Sequence, residues 1–348
     1  MFWGLVLGWK TIQTHDASTH KVVPISVIIA ARNEAPNLPR LLHDVLGQNY
    51  ASFELILLLD RCTDDSFSIA QQIQEKDPRL RIISVVEVPD GWSPKKWAIT
   101  QGIQQAQYEL LAFTDADCRM GDNWLVEISR HAHKHELVLG LGLYEKEKGL
   151  LNSLIQYETL FTAFQYIGAA SLGFPYMAVG RNLAYRKSFF LDNEGFKGVA
   201  HKLSGDDDLL VNAYAQKATT SCMISPESYT ISIPKRSFSS WFQQKRRHVS
   251  ASPSYSLSSK VLLAVFHLSQ MWFYMGILLT LMLGLTVSAV FTLYICRLIV
   301  CGAGWYVMRK KIPRSNILPL YPILDLGIFL YYLLIVPMGL ILTPEWKK

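Results

Sequence analysis

The segment Val22–Ala31 reads VVPISVIIAA, and this nearly continuous apolar and β-branched run predicts a strand buried on both faces of a sheet. Three later segments are also apolar enough to be buried strands: residues 54–60 (ELILLLD), 81–88 and 109–114. Segments with helical character lie between them, at residues 38–48, 65–76 and 95–106. This βαβαβαβ order predicts an α/β fold with a mostly parallel, doubly wound sheet.

Polar residues follow the carboxyl ends of the predicted strands, which is where open α/β sheets bind their ligands. Residues 32–34 (RNE) follow the first strand, Asp60 ends the second, and Asp115 and Asp117 follow the fourth. A nucleotide-binding crevice is the interpretation we favour. The first turn, ARNEAPN, lacks the glycines of a dinucleotide fingerprint, and the chain has no Walker A or G-x-S-x-G motif, so dehydrogenase, P-loop and serine-hydrolase functions are disfavoured.

Composition separates the front of the chain from its back. Only 18% of the 348 residues are charged, against roughly 25% in an ordinary soluble protein. Residues 1–260 are nearly neutral, whereas residues 261–348 hold only seven basic and two acidic side chains. This pattern excludes a disordered chain, a small disulfide scaffold and a simple soluble enzyme, and the net charge of +6 argues against nucleic acid as a partner. The five cysteines form no C-x-x-C pair, which predicts reduced thiols in a cytoplasm.

The back of the chain has the composition of a membrane domain. No charged side chain occurs from Val261 to Cys296, a run of 36 residues, and about 20 suffice to cross a bilayer. We predict three transmembrane helices, at residues 261–283, 286–308 and 317–343. Basic residues precede the first span and follow the second, so the positive-inside rule places the large domain in the cytoplasm of a multi-pass plasma or inner membrane protein.

Two parts of this membrane assignment leave alternatives open. Arg297 and Asp325 fall at comparable depth in the predicted spans, where they either pair or each snorkel to the interface. Residues 1–21 begin with an apolar stretch that is too short to span a bilayer and lacks the basic region of a signal peptide. That stretch is either an interfacial segment or the end of a helix that begins upstream.

Six short motifs, taken in order, resemble those of family 2 glycosyltransferases. They are PISVIIAARNEAPNLPRLL (24–42), LLDRCTDDS (58–66), SPKKWAITQGIQQAQYELLAFTDADC (93–118), VGRNLAYRKSFF (179–190), GDDDLL (205–210) and QQKRRH (243–248). The resemblance covers about residues 22–250 and implies a GT-A fold, which is Rossmann-like with a mostly parallel sheet, followed by C-terminal transmembrane helices. It points to the family's membrane-bound branch, which is related to polysaccharide synthases.

We expect four parts along the chain: an N-terminal apolar segment (1–21), a GT-A domain (22–233), a basic interfacial segment (234–260) and a membrane domain (261–348).

The resemblance also implies a donor site. Asp115 and Asp117 match the family's D-x-D motif, so that Asp117 would bind Mg²⁺ or Mn²⁺ and Asp115 would contact the ribose or the metal. Asp60 matches an aspartate that binds the base or ribose. Further donor contacts are implied for Ala30, Arg32, Glu34, Lys95 and Lys96. From the residues alone, helix capping by the aspartates and solvated lysines at a helix start remain open.

The run Asp206–Asp208 is chemically the most informative, because three adjacent carboxylates repel one another and crowding raises the pKa of a carboxyl toward that of a useful base. By resemblance Asp207 is the catalytic base of a single inverting displacement. A solvated acidic loop or a helix N-cap is the alternative. The resemblance also implies diphosphate or acceptor contacts for Asp206, Gly180, Asn182, Gln244, Arg246, Arg247 and His248.

The basic motif departs from the family pattern, since His248 stands where the tryptophan of Q-x-x-R-W is expected. The missing tryptophan weakens the expectation that a polymer is held at the acceptor site. The alternative for this segment is an interfacial amphipathic helix with Trp241 and Phe242 in lipid. The histidine-rich stretch HAHKH (131–135) does not place its histidines on one helix face, so we expect a solvated surface rather than zinc.

Taken together, the sequence and the resemblance predict a membrane-anchored, metal-dependent, inverting glycosyltransferase of the cell envelope. The expected donor is a nucleotide-diphosphate sugar, with UDP favoured, and the expected acceptor is a lipid-linked or glycan hydroxyl beside membrane lipid. The alternatives are a processive polysaccharide synthase, a non-catalytic membrane subunit of a glycan-assembly complex and a membrane nucleotidyltransferase.

Overall fold

The computed structural model describes residues 2–12, 22–284, 287–312 and 320–341. The chain divides into two compact units. The first, called here the sheet unit, comprises Ile12–Glu145 and Ala169–Pro234. The second, called the helical unit, comprises Met1–Thr11, Lys146–Gly168 and Lys235–Lys348. The ends of the predicted third span, together with residues 1 and 13–21 of the N-terminal segment, lie outside the described residues.

The described strands are β1 (Ile25–Ala31), β2 (Phe53–Asp60), β3 (Leu80–Val85), β4 (Leu110–Phe113), β5 (Cys118–Met120), β6 (Leu137–Gly140), β7 (Gly142–Tyr144), β8 (Leu183–Arg186), β9 (Thr220–Met223) and β10 (Thr230–Ser232). The described α-helices are α1 (Phe2–Thr11), α2 (Leu38–Leu46), α3 (Ser66–Gln74), α4 (Pro94–Gln105), α5 (Trp124–Ala132), α6 (Leu150–Ser171), α7 (Lys187–Asp192), α8 (Asp208–Tyr214), α9 (Phe238–Val249), α10 (Leu257–Met282), α11 (Val287–Lys311) and α12 (Tyr321–Ile341).

The sheet unit contains a seven-stranded sheet in the order β3-β2-β1-β4-β8-β6-β9 and a three-stranded sheet in the order β5-β10-β7. The first four strands are parallel, in a register that pairs Ile28 of β1 with Ile56 of β2 and Phe113 of β4. Strand β8 runs antiparallel to both of its neighbours. The four predicted strands and the mostly parallel sheet are therefore confirmed, and the carboxyl ends of β1, β2 and β4 meet at one edge.

The pattern of buried apolar side chains explains why these segments form strands and helices. Every residue of β2 is buried, because helices cover both faces of a doubly wound sheet. Helix α2 places Leu38, Leu41, Leu42 and Val45 in the core, at the spacing of one helix face. Each such side chain stabilises the fold by roughly 1.5–3 kcal/mol relative to an exposed position.

The helical unit takes in most of α6, which the expected division had assigned to a domain at residues 22–233. The reason is the aromatic face of α6. The Phe161 ring lies 5.6 Å from the ring of Phe266 on α10, and the Phe164 ring lies 5.9 Å from Trp305 on α11. These aromatic contacts join α6 to the helices of the helical unit, although α6 lies between strands of the sheet unit in the sequence.

Helix α1 also packs within the helical unit. The Trp9 indole N–H donates to the Phe164 carbonyl at 3.0 Å, and Trp9 is fully buried. Gly8 approaches Gly168 so closely that a Cβ on Gly8 would lie 2.2 Å from the Gly168 oxygen. The outer face of α1 carries exposed Trp3 and Leu7, so only part of the helix resembles the interfacial segment considered above.

Three described helices are long and apolar enough to cross a membrane: Leu257–Met282, Val287–Lys311 and Tyr321–Met338. They agree with the three predicted spans to within a few residues wherever the chain is described. Most of their apolar surface is exposed in the isolated chain, as expected of helices whose solvent is lipid.

Arg297 on α11 and Asp325 on α12 form an ion pair, the first of the two alternatives that the sequence left open. The Arg297 Nε–Asp325 Oδ2 distance is 2.9 Å and the Nη2–Oδ1 distance is 3.1 Å, so the contact is bidentate. Gln270 accepts a further hydrogen bond from Arg297, and the Tyr274 hydroxyl donates to Asp325. With Asp325 only 2% exposed, neither charge snorkels, and each satisfies the other inside the bundle.

Removing one member of this pair should destabilise the protein more than removing both. The variants Arg297→Met and Asp325→Leu each leave an uncompensated buried charge, at an expected cost of about 3–5 kcal/mol, whereas the double variant leaves none. Thermal unfolding in detergent measures the effect, and Arg309→Met, an exposed cation on the same helix, is the control. A double variant that loses the sum of both single losses would contradict the pairing.

Candidate active site

The loops that follow β1 and β2 are fastened to each other at the carboxyl edge of the sheet. Asn33 adopts a left-handed conformation (φ 55°), and its side-chain oxygen accepts the backbone N–H of Thr63 at 2.8 Å. The Asp64 carboxylate accepts from the Ala35 N–H at 3.0 Å and from the Ser66 N–H at 3.1 Å. These bonds fix the two loops at the sheet edge where the sequence predicts a nucleotide-binding crevice.

Three predicted donor residues belong to the first of these loops or to the strand before it. Ala30 lines the cleft described below, and Arg32 is half-buried at the loop's start. The Glu34 carboxylate accepts a hydrogen bond from the Asn37 side chain at 2.6 Å, so it also stabilises the start of α2.

Asp60 ends β2 as a buried carboxylate with 4% exposure. Its two oxygens accept from Nε and Nη2 of Arg61, at 2.7 and 3.3 Å. Arg61 reaches back in this way because its backbone is left-handed, with φ 48°. The hydrogen bond to Asp60 raises the pKa of Arg61. Sequence reasoning missed Arg61, since nothing in the sequence reveals its positive φ.

Asp115 and Asp117 occupy the turn between β4 and β5. The turn closes through a hydrogen bond of 3.1 Å from the Cys118 N–H to the Asp115 carbonyl. Neither aspartate lies in a helix, and the Asp115 side chain is 38% exposed. Helix capping therefore does not explain the D-x-D pair.

Lys95 joins two acidic segments in one cleft. Its ammonium lies 2.9 Å from Asp115 Oδ1 and 2.9 Å from Asp206 Oδ2. Burial lowers the pKa of Lys95, but the charges of Asp115, Asp206 and Asp207 outweigh burial and raise it well above the ordinary value. Lys95 is thus a permanent cation between the end of β4 and the start of α8. Ile28, Ala30, Phe113 and Tyr185 complete the walls of the cleft.

Asp207 is both the N-cap of α8 and a wall of this cleft. Its Oδ1 accepts the Asp208 N–H at 2.7 Å and its Oδ2 accepts the Gly180 N–H. Burial and the adjacent charges of Asp206 and Asp208 raise the pKa of Asp207 to about 8, although Lys95 and the Asp208 N–H act to lower it. The carboxyl is held in one orientation and titrates near neutral pH.

Two predicted site residues are not free to bind a ligand. Asn182 is completely buried, and its amide donates to the carbonyls of Leu141 at 2.8 Å and Ser228 at 2.7 Å. Its oxygen accepts the Trp124 indole N–H at 3.0 Å. Lys96 is 1% exposed and directs its ammonium to backbone carbonyls. These hydrogen bonds argue against the predicted diphosphate contact of Asn182 and donor contact of Lys96, because neighbouring groups already use their polar atoms.

The predicted basic residues Gln244, Arg246, Arg247 and His248 lie on α9 of the helical unit. Helix α9 is not an interfacial helix with its tryptophan in lipid, because Trp241 is 1% exposed and its ring lies 5.6 Å from that of Tyr331 on α12. Lys245 forms a buried ion pair with Glu158 of α6. These contacts fix which face of α9 is buried.

His131, expected on a solvated surface, is 5% exposed, and its Nδ1 lies 2.7 Å from the Ser221 hydroxyl. His135 Nδ1 lies 2.9 Å from the His131 carbonyl, whereas His133 is exposed, so the expected solvated surface holds only for the middle histidine of the stretch.

The acidic cleft fits a divalent cation that arrives with a nucleotide. Among the described residues, no group of three or more His, Cys, Asp or Glu side chains could hold a metal ion. Mg²⁺ is commonly bound by one or two carboxylates with substrate phosphates supplying further ligands, and Asp115 and Asp117 provide that number. The donor set therefore suits a metal–diphosphate complex better than a resident metal.

Comparison with known proteins agrees with the fold. A solved mannosyltransferase from Pyrobaculum calidifontis, in complex with GDP-Man and Mn²⁺, matches 95% of this chain and 96% of its own at a TM-score of 0.56 and 17% identity, which confirms the GT-A fold. A 4,4'-diaponeurosporenoate glycosyltransferase of Staphylococcus haemolyticus is 26% identical over 52% of this chain and 49% of its own. A GalNAc(5)-diNAcBac-PP-undecaprenol beta-1,3-glucosyltransferase of Campylobacter jejuni is 24% identical over 56% of this chain and 60% of its own.

The alignments thus span about half the length of these curated relatives. The model of glycosyl transferase family 2 matches residues 26–191, and that of glycosyl transferase family group 2 matches residues 110–340. Because the second match covers most of the chain, the chain belongs to the family 2 glycosyltransferases.

Proposed function

We propose that this protein is a membrane-anchored, inverting glycosyltransferase that moves a sugar from a nucleotide-diphosphate donor to an acceptor hydroxyl. The observation that carries the proposal is the Lys95 bridge, which gathers Asp115, Asp206 and Asp207 into one cleft. A donor-binding carboxylate and a carboxyl with the pKa of a general base are needed together for this reaction.

On the donor side, Asp60 would bind the ribose or base, and Asp115 and Asp117 would hold Mg²⁺ or Mn²⁺. The metal, when bound, offsets the charge that develops on the leaving diphosphate. Lys95 supplies a fixed positive charge in the same cleft. Its contact with Asp115 also orients that carboxylate before the donor arrives.

On the acceptor side, Asp207 acts as the general base. The proton of the acceptor hydroxyl passes to the Asp207 carboxylate, and the oxygen attacks the anomeric carbon. The bond from that carbon to the diphosphate oxygen breaks, and the nucleoside diphosphate leaves with the electron pair. Attack from the face opposite the leaving group inverts the anomeric configuration in one displacement.

A lipid-linked acceptor is the class we favour. The name of the Campylobacter jejuni relative specifies an undecaprenol-linked substrate, and three helices here are apolar enough to span a membrane. Three spans are few for a polymer channel, and His248 replaces the tryptophan of the processive motif, so a single transfer is favoured over processive synthesis. The basic residues that flank the spans favour a cytoplasmic sheet unit at the plasma or inner membrane.

Transfer should depend on Asp207 and release a nucleoside diphosphate. Detergent-solubilised protein is given Mn²⁺ and a panel of UDP- and GDP-sugars, with and without a membrane lipid extract. We expect lipid-stimulated release from one donor and a loss of about 10²-fold or more in Asp207→Asn, because the base is removed. Pyrophosphate release would indicate a nucleotidyltransferase, and nucleotide binding without release would indicate a non-catalytic subunit.

The transfer rate should rise with pH up to about 8, where Asp207 loses its proton, because only the ionised carboxylate accepts the acceptor's proton. Well below that value the rate should increase about tenfold per pH unit. Lys95→Met removes a charge that lowers the Asp207 pKa, so it should move the rise to higher pH. A midpoint that is unchanged in Lys95→Met would show that another group controls the profile.

Metal should strengthen nucleotide binding through Asp117. In calorimetric titrations, Mn²⁺ should tighten UDP or GDP binding by the unaltered protein and have little effect in Asp117→Asn, because one of two carboxylate ligands is lost. Asp122→Asn, an exposed acidic residue near the same turn, is the matched control and should respond like the unaltered protein. Equal metal responses in both variants would remove Asp117 from the metal site.

A further inference from the structure

Lys96 on α4 is the most deeply buried lysine described, at 1% exposure. Its ammonium donates to three backbone carbonyls, those of Val199 at 3.0 Å, Lys202 at 2.7 Å and Ser204 at 2.7 Å. An ammonium group has three N–H donors and no acceptor. All three donors are therefore used, and none remains for a nucleotide phosphate.

The three carbonyls belong to one short segment, residues 199–204, which leads directly into Asp206–Asp208. A fourth bond, from the Ser93 N–H to the Ala200 carbonyl at 2.7 Å, fastens the same segment to the start of α4. The segment then turns at Gly205, whose φ of 90° favours glycine and where a Cβ would lie 2.4 Å from the Leu209 side chain. The entry of the chain into the acidic run is thus fixed on both sides.

Pro94 begins α4, so Lys95 and Lys96 both lie in its first turn, and consecutive helical side chains point about 100° apart. Lys95 contacts the carboxylates of Asp115 and Asp206, whereas Lys96 contacts the backbone that precedes Asp206. Lys95 thus contacts a side chain of the acidic run, and Lys96 contacts the main chain that leads into the run.

We infer that Lys96 is a positioning residue: by binding three carbonyls of segment 199–204 it sets the geometry of Asp206–Asp208 for transfer, without touching the donor. The inference rests on the proposed function for its catalytic consequence. Burying an ammonium costs several kcal/mol unless it is fully hydrogen-bonded. Segment 199–204 therefore has to present its three carbonyls to Lys96 in the folded protein.

Titration of Lys96 supports this role. Burial lowers the pKa of Lys96 to about 8, against the opposing charges of Asp206, Asp208 and Asp207, while Lys202 adds to the lowering. Above that pH the neutral amine keeps two N–H donors, so one of the three carbonyls loses its partner. Transfer should therefore fall again on the alkaline side, as the acidic run loses its fixed position.

The test compares Lys96→Met and Lys96→Arg with Lys202→Met, which keeps its carbonyl and removes only a side chain of the same segment. We expect Lys96→Met to lower turnover at saturating donor by about 100-fold, because a displacement of about 1 Å has that effect, with nucleotide Kd within about twofold of the unaltered protein. The guanidinium in Lys96→Arg keeps its proton at alkaline pH, so the transfer rate of this variant should not fall on the alkaline side. Lys202→Met should match the unaltered protein in nucleotide Kd and in saturated turnover at neutral pH, with its alkaline fall moved to higher pH because the Lys202 charge lowers the pKa of Lys96.

A tenfold weaker nucleotide Kd in Lys96→Met with unchanged saturated turnover would overturn the inference, because Lys96 would then be a donor ligand. An alkaline fall that persists in Lys96→Arg would also overturn it, and this holds even if Lys96→Met fails to fold. Amide exchange of residues 197–208 provides a readout independent of transfer. If no donor supports transfer but exchange rises in Lys96→Met alone, the proposed function fails and the positioning role stands; unchanged exchange contradicts the role itself.

Discussion

The contact of Lys95 with Asp115 and Asp206 is the interaction on which the candidate site depends. Three aspartates from two separate segments, Asp115 from one and Asp206 and Asp207 from the other, meet in one cleft at the carboxyl edge of the sheet, and like charges close together disfavour ionisation. One ammonium, 2.9 Å from a carboxylate of each segment, makes the arrangement tolerable and joins them into one cleft. The same charge moderates the pKa of Asp207, so it influences both the donor and the acceptor side of the proposed reaction.

The parallel half of the fold could be predicted because three of its four strands, β1, β2 and β4, are buried on both faces. Such burial leaves a continuous apolar run in the sequence, as in β1 and β2, and the aspartates that follow such runs necessarily come to one edge. Strand β8 could not be predicted in this way. It has only four residues, Leu183–Arg186, and its antiparallel position depends on pairing with β4 and β6 rather than on its own pattern.

The sequence identified polar residue types but could not show which of them the backbone already occupies. Asn182 and Lys96 lie in motifs of the glycosyltransferase family, yet carbonyls such as Leu141 and Ser204 take their donors. Arg61 was overlooked because its contact with Asp60 depends on a left-handed backbone, which the sequence does not reveal. In the helical unit, pairing of Arg297 with Asp325 was one of two alternatives that the sequence left open, because a lone charge in lipid is costly, while the burial of Trp241 depends on its contact with Tyr331.

We propose that Asp207 supports one direct displacement at the anomeric carbon. The most direct test is NMR determination of the anomeric configuration of the first product formed from a donor of known configuration. We expect inversion, because a general base opposite the leaving diphosphate permits a single attack. Retention of configuration would contradict it, since two displacements would then be needed and Asp207 could not be acting only as a base.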